Sequence, residues 1–525
     1  MSTAEPEGYA ARLAAFAAAC RSDGTPREIA ADAAARVLDC LGNSLGALGP
    51  HTGEAAGPSP QATALAVARA AGGAGEATAV GSGVRLPADR AALVNGTLAH
   101  ALDFDDTHLP SVLHPTAAVL PAALAAAEAT GATGAGLLAA LAAGGEVCCR
   151  LGTASYDPEL RNSVFFEKGL HATSICGTVG AAVAAGLLYG LTEAELAHAI
   201  GIACSMGAGV IEANRTGGSV KRLHCGWAAH SGVCAAQFAA GGITGPPTVL
   251  EGRFGFLTAF LDERWTAEPL LAGLEAMGAA GNWQYARTVF KPYPSNHFTH
   301  PGIDCALALR RAGLRAEDVL SAQLGVAAAP RRTIGEPRAE KTRPRTPYHA
   351  KFSGPYTVAA ALLSETGEGG AAAGPGLGHA DFSPAAFTDP RRLALAERVE
   401  VVADDTCDAE FPHAFSAVLR VRTRGGRLRQ TRVAGSLGGP GAPLSREQLA
   451  GKFRLNAEPV LGAARAGAVV AAVRALATAP PRAGGGRARG SGAPARGGPG
   501  GPRAPPRRGP QPGRGGLAVG RGHQD

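Results

Sequence analysis

Aromatic residues are scarce in this 525-residue chain: 5% in total, with 3 Trp, 7 Tyr and 16 Phe. A pocket that shelters a carbocation needs several aromatic faces around it, so that chemistry is disfavoured. The 10 cysteines are scattered, no C-x-x-C pair occurs, and only Cys148 and Cys149 adjoin. Paired zinc knuckles are therefore excluded, and the cysteines read as reduced thiols of a cytoplasmic protein. A Walker A loop and an H-E-x-x-H helix are also absent, which removes two common phosphate and metalloprotease signatures. G-x-S-x-G occurs as GNSLG at 42–46. It lies inside a helical pattern rather than between a strand and a helix, so it does not read as a nucleophile elbow.

The opening stretch MSTAEPEGYAARLAAFAAAC lacks a basic segment followed by a long apolar run, so no secretory signal is expected. The longest stretch without charge or histidine, Ala172 to Thr192, holds five alanines and four glycines. Its low hydrophobicity reads as a buried helix rather than a membrane span. An excess of one charge is missing too, once located. The net charge is +7, but Pro480 to Asp525 carries nine Arg and one Asp, or +8, which leaves −1 on the rest. A near-neutral body gives no electrostatic reason to expect a nucleic-acid partner.

What is present is small and apolar. Hydrophobic residues make up 46% of the chain, and with few aromatics the core must come from Ala, Leu and Val, which favours closely packed helices. Helix-like spacing recurs from about Tyr9 to Phe260, as in AADAAARVLDCLGNSLGAL. TEAELAHA carries a capping box, Thr192 with Glu195. Beyond Gly281 strand-like pieces appear: SAQLGVAAA, RVEVVAD, and AVLRVRTRGG with RLRQTRVAG, the last two a hairpin. Helix returns after Ser445. The expected fold is mainly α: a helical domain over 1–280, a smaller α+β lid over 281–440, and C-terminal helices over 441–479 that pack back on the first domain. The Gly/Pro/Arg-rich tail, 480–525, is expected to be disordered.

The chemistry concentrates in ALDFDDTHLPSVLHP, residues 101–115. A helix that runs from Asp89 through Thr107 and stops before Pro110 would put His100, Asp103 and Thr107 on one face. Asp105 and Asp106 would point elsewhere, as helix-end and turn residues rather than metal ligands. On this segment alone, a capped and aspartate-rich helix end explains the residues better than a site does. Three further clusters pair Lys with His: Lys168 and His171; Lys221, Arg222, His224 and His230; Lys291, His297 and His300. Together they suggest a cavity lined by cationic donors, suited to a small substrate carrying several carboxylates. No metal or cofactor is called for.

The blocks VNGTLAHALDFDDTHLPSVLHP, KGLHATSICGTVGAAVAAG, VKRLHCGWAAHSG, LEGRFGF, VFKPYPSNHFTHPGID and AKFSGPYTVAAAL resemble, in this order, the MmgE/PrpD family of 2-methylcitrate dehydratase, cis-aconitate decarboxylase and iminodisuccinate epimerase. The resemblance covers roughly residues 8–475. It implies a homodimer, a site in the cleft between a helical domain and a lid, and cofactor-free lyase chemistry on a di- or tricarboxylate. Epimerisation by proton transfer and a non-catalytic relative are the alternatives. Carried over, the family's site residues are Asp103, His114 and His171 for catalysis, with Thr107, Lys221 and Lys291 binding substrate. The spacing from Thr107 to His114 is one residue longer than in the decarboxylase pattern, which makes His108 a rival to His114. YPSNHFTH departs from the dehydratase pattern. The decarboxylase branch's tyrosine is missing between Leu324 and Pro347, and Tyr348 stands close to AKFS instead.

Overall fold

Small side chains set the architecture. In the computed structural model, which describes residues 8–22, 24–49, 59–160, 162–216, 218–278, 282–364 and 376–476, glycine and alanine bring helices into backbone contact. We label the elements used below α1 (Arg27–Gly46), α2 (Ala88–His100), α3 (Pro115–Thr130), α4 (Gly134–Thr153), α5 (Ala172–Leu188) and α6 (His224–Ala240). Every residue of α5 from Ala172 to Leu187 is buried, and α3, α4 and α6 pack around it. An apolar helix with no polar face can exist only in such a position. At the α2–α6 crossing, a Cβ on Gly96 would lie 2.6 Å from the Cys225 carbonyl oxygen; at the α4–α5 crossing, one on Gly180 would lie 2.5 Å from that of Gly144. α4 is long and apolar enough to cross a membrane, but 78% of its most apolar window is buried inside the protein.

Two main hydrophobic cores form. The first joins Ala10–Tyr285 to residues of the last two helices, from Ala450 to Val473. Those helices, α9 (Arg446–Leu461) and α10 (Ala463–Leu476), start from Ser445, whose side chain and Gln448 complete a capping box. The second core runs from Tyr293 to Val421. It contains α7 (His300–Arg311), α8 (Gly354–Leu363) and a sheet of β3 (Val319–Val326), β4 (Val399–Ala403), β5 (Ala417–Thr423) and β6 (Leu428–Val433). The sheet order is β6-β5-β3-β4, with β3 and β4 parallel and the other pairs antiparallel. β5 and β6 are the hairpin expected around the Gly-Gly turn. Both cores lie within one compact unit, Met1–Pro481; the tail expected to be disordered lies outside the described residues.

One helix ends earlier than its sequence suggests. α2 stops at His100, and Thr107–His108 form a short strand, β1, antiparallel to β2 (Thr288–Val289). Asp103 adopts φ 53°, a left-handed conformation that Asp tolerates better than most residues. The single helical face expected for His100, Asp103 and Thr107 therefore does not exist. Tertiary partners override the helical preference, because each aspartate of DFDD finds a different partner: Asp103 meets Lys291, Asp105 meets His100 and Asp106 meets Arg36.

Candidate active site

The departure of the chain from α2 wraps residues 101–114 around a buried set of charges. Asp103 accepts from Lys291 Nζ at 3.0 Å, and Lys221 Nζ stands 3.8 Å away. β1–β2 pairing places Lys291, two residues past β2, against this turn. Burial pushes the Asp103 carboxyl upward, but Lys221 and Lys291 outweigh it and hold it well below the usual carboxylate range. Asp105 accepts from His100 Nδ1 at 2.7 Å, and His100 Nε2 faces Lys221 Nζ at 2.9 Å. With a protonated Lys221 the directions are fixed: the lysine donates to Nε2, and Nδ1–H donates to Asp105. Asp106 pairs with Arg36 on α1 at 2.9 Å and accepts from Thr116 at 2.5 Å. Asp105 and Asp106 lie in the turn past the helix end, as expected, but they also carry buried partners. Both are buried and orient the cations and imidazoles of the site.

A cavity of about 350 Å³ opens beside this network. Thr107, His114, His171 and Lys221 line it, joined by His297 and, near Glu167, by Arg332. Asp103 and Lys291 do not line it; they sit behind Lys221, fully buried against each other. His108 does not line it either, for its Nδ1 meets Ser111 Oγ at 2.6 Å. Of the two rival histidines, His114 faces the cavity. Its Nδ1 lies 2.6 Å from the Asp106 carbonyl oxygen. A carbonyl can only accept, so Nδ1 carries the proton and Nε2 keeps its lone pair. His171 Nδ1 lies 2.9 Å from His224 Nδ1, a partner 53 residues away. Burial and the nearby Lys221 hold His171 well below its usual value, and burial lowers His224 to about 4. At neutral pH these rings are uncharged. Tyr348 is buried under Arg222, with its ring 4.1 Å from the guanidinium carbon, and does not line the cavity.

The cavity also spans the two cores. Arg332, on a helix of the second core's segment, reaches Glu167 of the first at 2.6 and 3.2 Å, and Asn162 donates to the same carboxylate. His100, Asp105, His224, His297 and Arg332 also help to form the site, beyond the catalytic and binding residues expected from the sequence. His100 and His224 stood in the quoted motifs, so their chemistry was in view; Arg332 carried no local signal.

Buried neutral histidines couple stability to pH. Burial lowers His108 and His114 to about 3, from a value near 6.5 in the unfolded chain. Between these values the unfolded state binds more protons. Their contribution is therefore complete above pH 6.5 and is lost as pH falls, at up to about 1.4 kcal/mol per pH unit for each ring. The urea midpoint is expected to drop steadily from pH 7 to pH 5. An unchanged midpoint would show that these rings are not buried neutral.

The MmgE/PrpD N-terminal domain matches residues 11–268, and the MmgE/PrpD C-terminal domain matches residues 293–477. The chain is 30% identical over 384 residues to cis-aconitate decarboxylase of Homo sapiens, covering 72% of this chain and 74% of that one. It is 28% identical over 381 residues to the Mus musculus protein of the same name, covering 72% and 73%. Over 243 residues it is 32% identical to cis-aconitate decarboxylase of Aspergillus terreus, which is 45% of this chain and 48% of that one. The chain thus spans about half the length of the fungal relatives it matches. With both family domains matched in order and a cavity between the two cores, the chain belongs to the MmgE/PrpD family.

Proposed function

We propose that this protein is a cofactor-independent lyase acting on a small di- or tricarboxylate, of the aconitate or 2-methylcitrate kind, with decarboxylation the favoured reaction. The observation that carries the reading is Lys221 facing His114 and His171 across one cavity, with Asp105 and His100 orienting the lysine from behind. Relatives named cis-aconitate decarboxylase favour loss of carbon dioxide over loss of water. Lys221 and Thr107 bind substrate carboxylates. Asp103 and Lys291 act from the second rank, as a charge pair that fixes Lys221. An incoming polyanion raises the proton affinity of the neutral imidazoles, so binding itself arms His114 or His171 as an acid. When the C–C bond to the departing carboxylate breaks, its electron pair remains on carbon. Lys221 offsets the developing charge, and the armed histidine delivers the proton to that carbon. Dehydration would use the same groups to remove a proton and protonate a leaving hydroxide.

The test is direct assay of the full chain on cis-aconitate, 2-methylcitrate, citrate and aspartate-derived diacids, following carbon dioxide release, water loss and deuterium incorporation from D2O. Carbon dioxide from cis-aconitate is expected. Deuterium exchange at carbon without loss of a group would establish the epimerase reading, and no reaction or binding with any acid would leave a non-catalytic relative.

A homodimer is the second part of this reading. Leu223, Trp227 and Phe238 share one face at the start and along the length of α6 and are 36%, 43% and 46% exposed, an apolar stripe suited to a second copy. Trp227→Glu is expected to convert a dimer to monomers in light scattering; a wild-type chain that already runs as a monomer would remove the proposal.

A further inference from the structure

A second cluster of ligating side chains lies on α2 and α6, and none of its members lines the cavity. His230 and Cys234 stand one turn apart on α6, and Asp89 reaches them from the first turn of α2. His230 Nδ1 lies 3.3 Å from Asp89 Oδ2, and its Nε2 lies 3.8 Å from Cys234 Sγ. One donor atom from each of the three side chains falls within 4.8 Å of the others, and all three residues are half-buried. We infer that Asp89, His230 and Cys234 bind a divalent cation of the zinc class, which ties α2 to α6.

The donor set argues for that class. Thiolate and imidazole suit zinc and its neighbours, whereas magnesium and calcium take oxygen ligands. Zinc bonds of about 2.3 Å to sulfur and 2.0–2.2 Å to nitrogen or oxygen put tetrahedral donors about 3.3–3.6 Å apart. Only one ring nitrogen of His230 can bind the cation, so the side chain now on the other side of the ring must swing round to it, closing a separation of up to 4.8 Å to that spacing. Half-buried side chains can make this adjustment by rotation, while water fills the remaining position. Nine of the ten cysteines are buried, and the one that is not is the one beside His230.

The place of the cluster gives the cation a role. α2 ends at His100 and α6 begins at His224, so both helices deliver imidazoles to the active site. They touch through Gly96 and Gly226. A cation at Asp89 would sit about 16 Å along α2 from His100, at 1.5 Å per residue. It would hold the start of α2 to the middle of α6 without entering the reaction.

Full-length, reduced and metal-stripped protein titrated with Co²⁺ tests this, because a cobalt–thiolate bond gives a near-ultraviolet charge-transfer band that no other ligand here supplies. The expected result is a band that saturates at one Co²⁺ per chain, is displaced by Zn²⁺, and is accompanied by a higher thermal midpoint. Cys234→Ser should abolish the band, and His230→Ala should weaken binding at least about tenfold, while both variants keep the wild-type circular dichroism. Absence of the band in wild type overturns the inference, as does equal binding by wild type and His230→Ala. Neither readout depends on turnover, so the outcome is independent of the proposed reaction.

Discussion

Lys221→Ala and His171→Ala are each expected to lower kcat at least about 10³-fold, the scale of losing a fixed charge-stabilising donor or a proton-transfer group. Lys221 is the cation on the cavity wall held by both His100 and Asp103. Removing it takes away the charge that the proposed reaction sets against the carbanion and frees His100 from its acceptor role. His171 is held by His224 and by its own backbone N–H to Gly209, so its loss leaves the chain path intact. Steady-state kinetics on the substrate found by the assay, with near-ultraviolet circular dichroism as the control for folding, check both. Near-wild-type turnover in either variant removes that residue from the chemistry. A rise in KM with kcat unchanged would make Lys221 a binding group only.

Asp103→Asn is expected to cost about 3–5 kcal/mol of stability, because it strands the buried ammonium of Lys291. Asn tolerates the left-handed φ of 53°, so the loss reports charge rather than backbone strain; Ala would add about 1–2 kcal/mol of strain. The control is the double variant Asp103→Asn/Lys291→Met, which removes the stranded cation along with its partner. It should recover much of the stability, as neutral replacements of buried pairs do, yet remain poorly active because Lys221 loses its anchor. Urea titrations of the single and double variants measure this. Equal instability in both would mean that the Asp103–Lys291 pair is not what holds the turn. Full activity in the double variant would mean that the pair does not position Lys221.

Local patterns were legible in the sequence where burial repeats along a single element. The helical pattern of α1, which absorbs GNSLG, the capping boxes at Thr192 and Ser445 and the β5–β6 hairpin all follow from contacts within a few residues. The same reading found DFDDT, KGLH, VKRLH and VFKPYP as the segments rich in charge, and the family followed from their order. It misjudged the end of α2, because a 3.6-residue period continues on paper through Asp103 while His100, Arg36 and Lys291 pull the three aspartates in different directions.

What only the tertiary structure decided is which polar group meets which. His114 turns to the cavity and His108 away because the Asp106 carbonyl and Ser111 take their Nδ1 atoms. His171 meets His224 across 53 residues, Lys291 meets Asp103 across 188, and Asp89 meets His230 across 141. Helical periodicity and turn chemistry are properties of neighbours in the chain. The partner of a buried charge is set by the packing of whole helices, and here that packing is governed by where glycine lets two backbones touch.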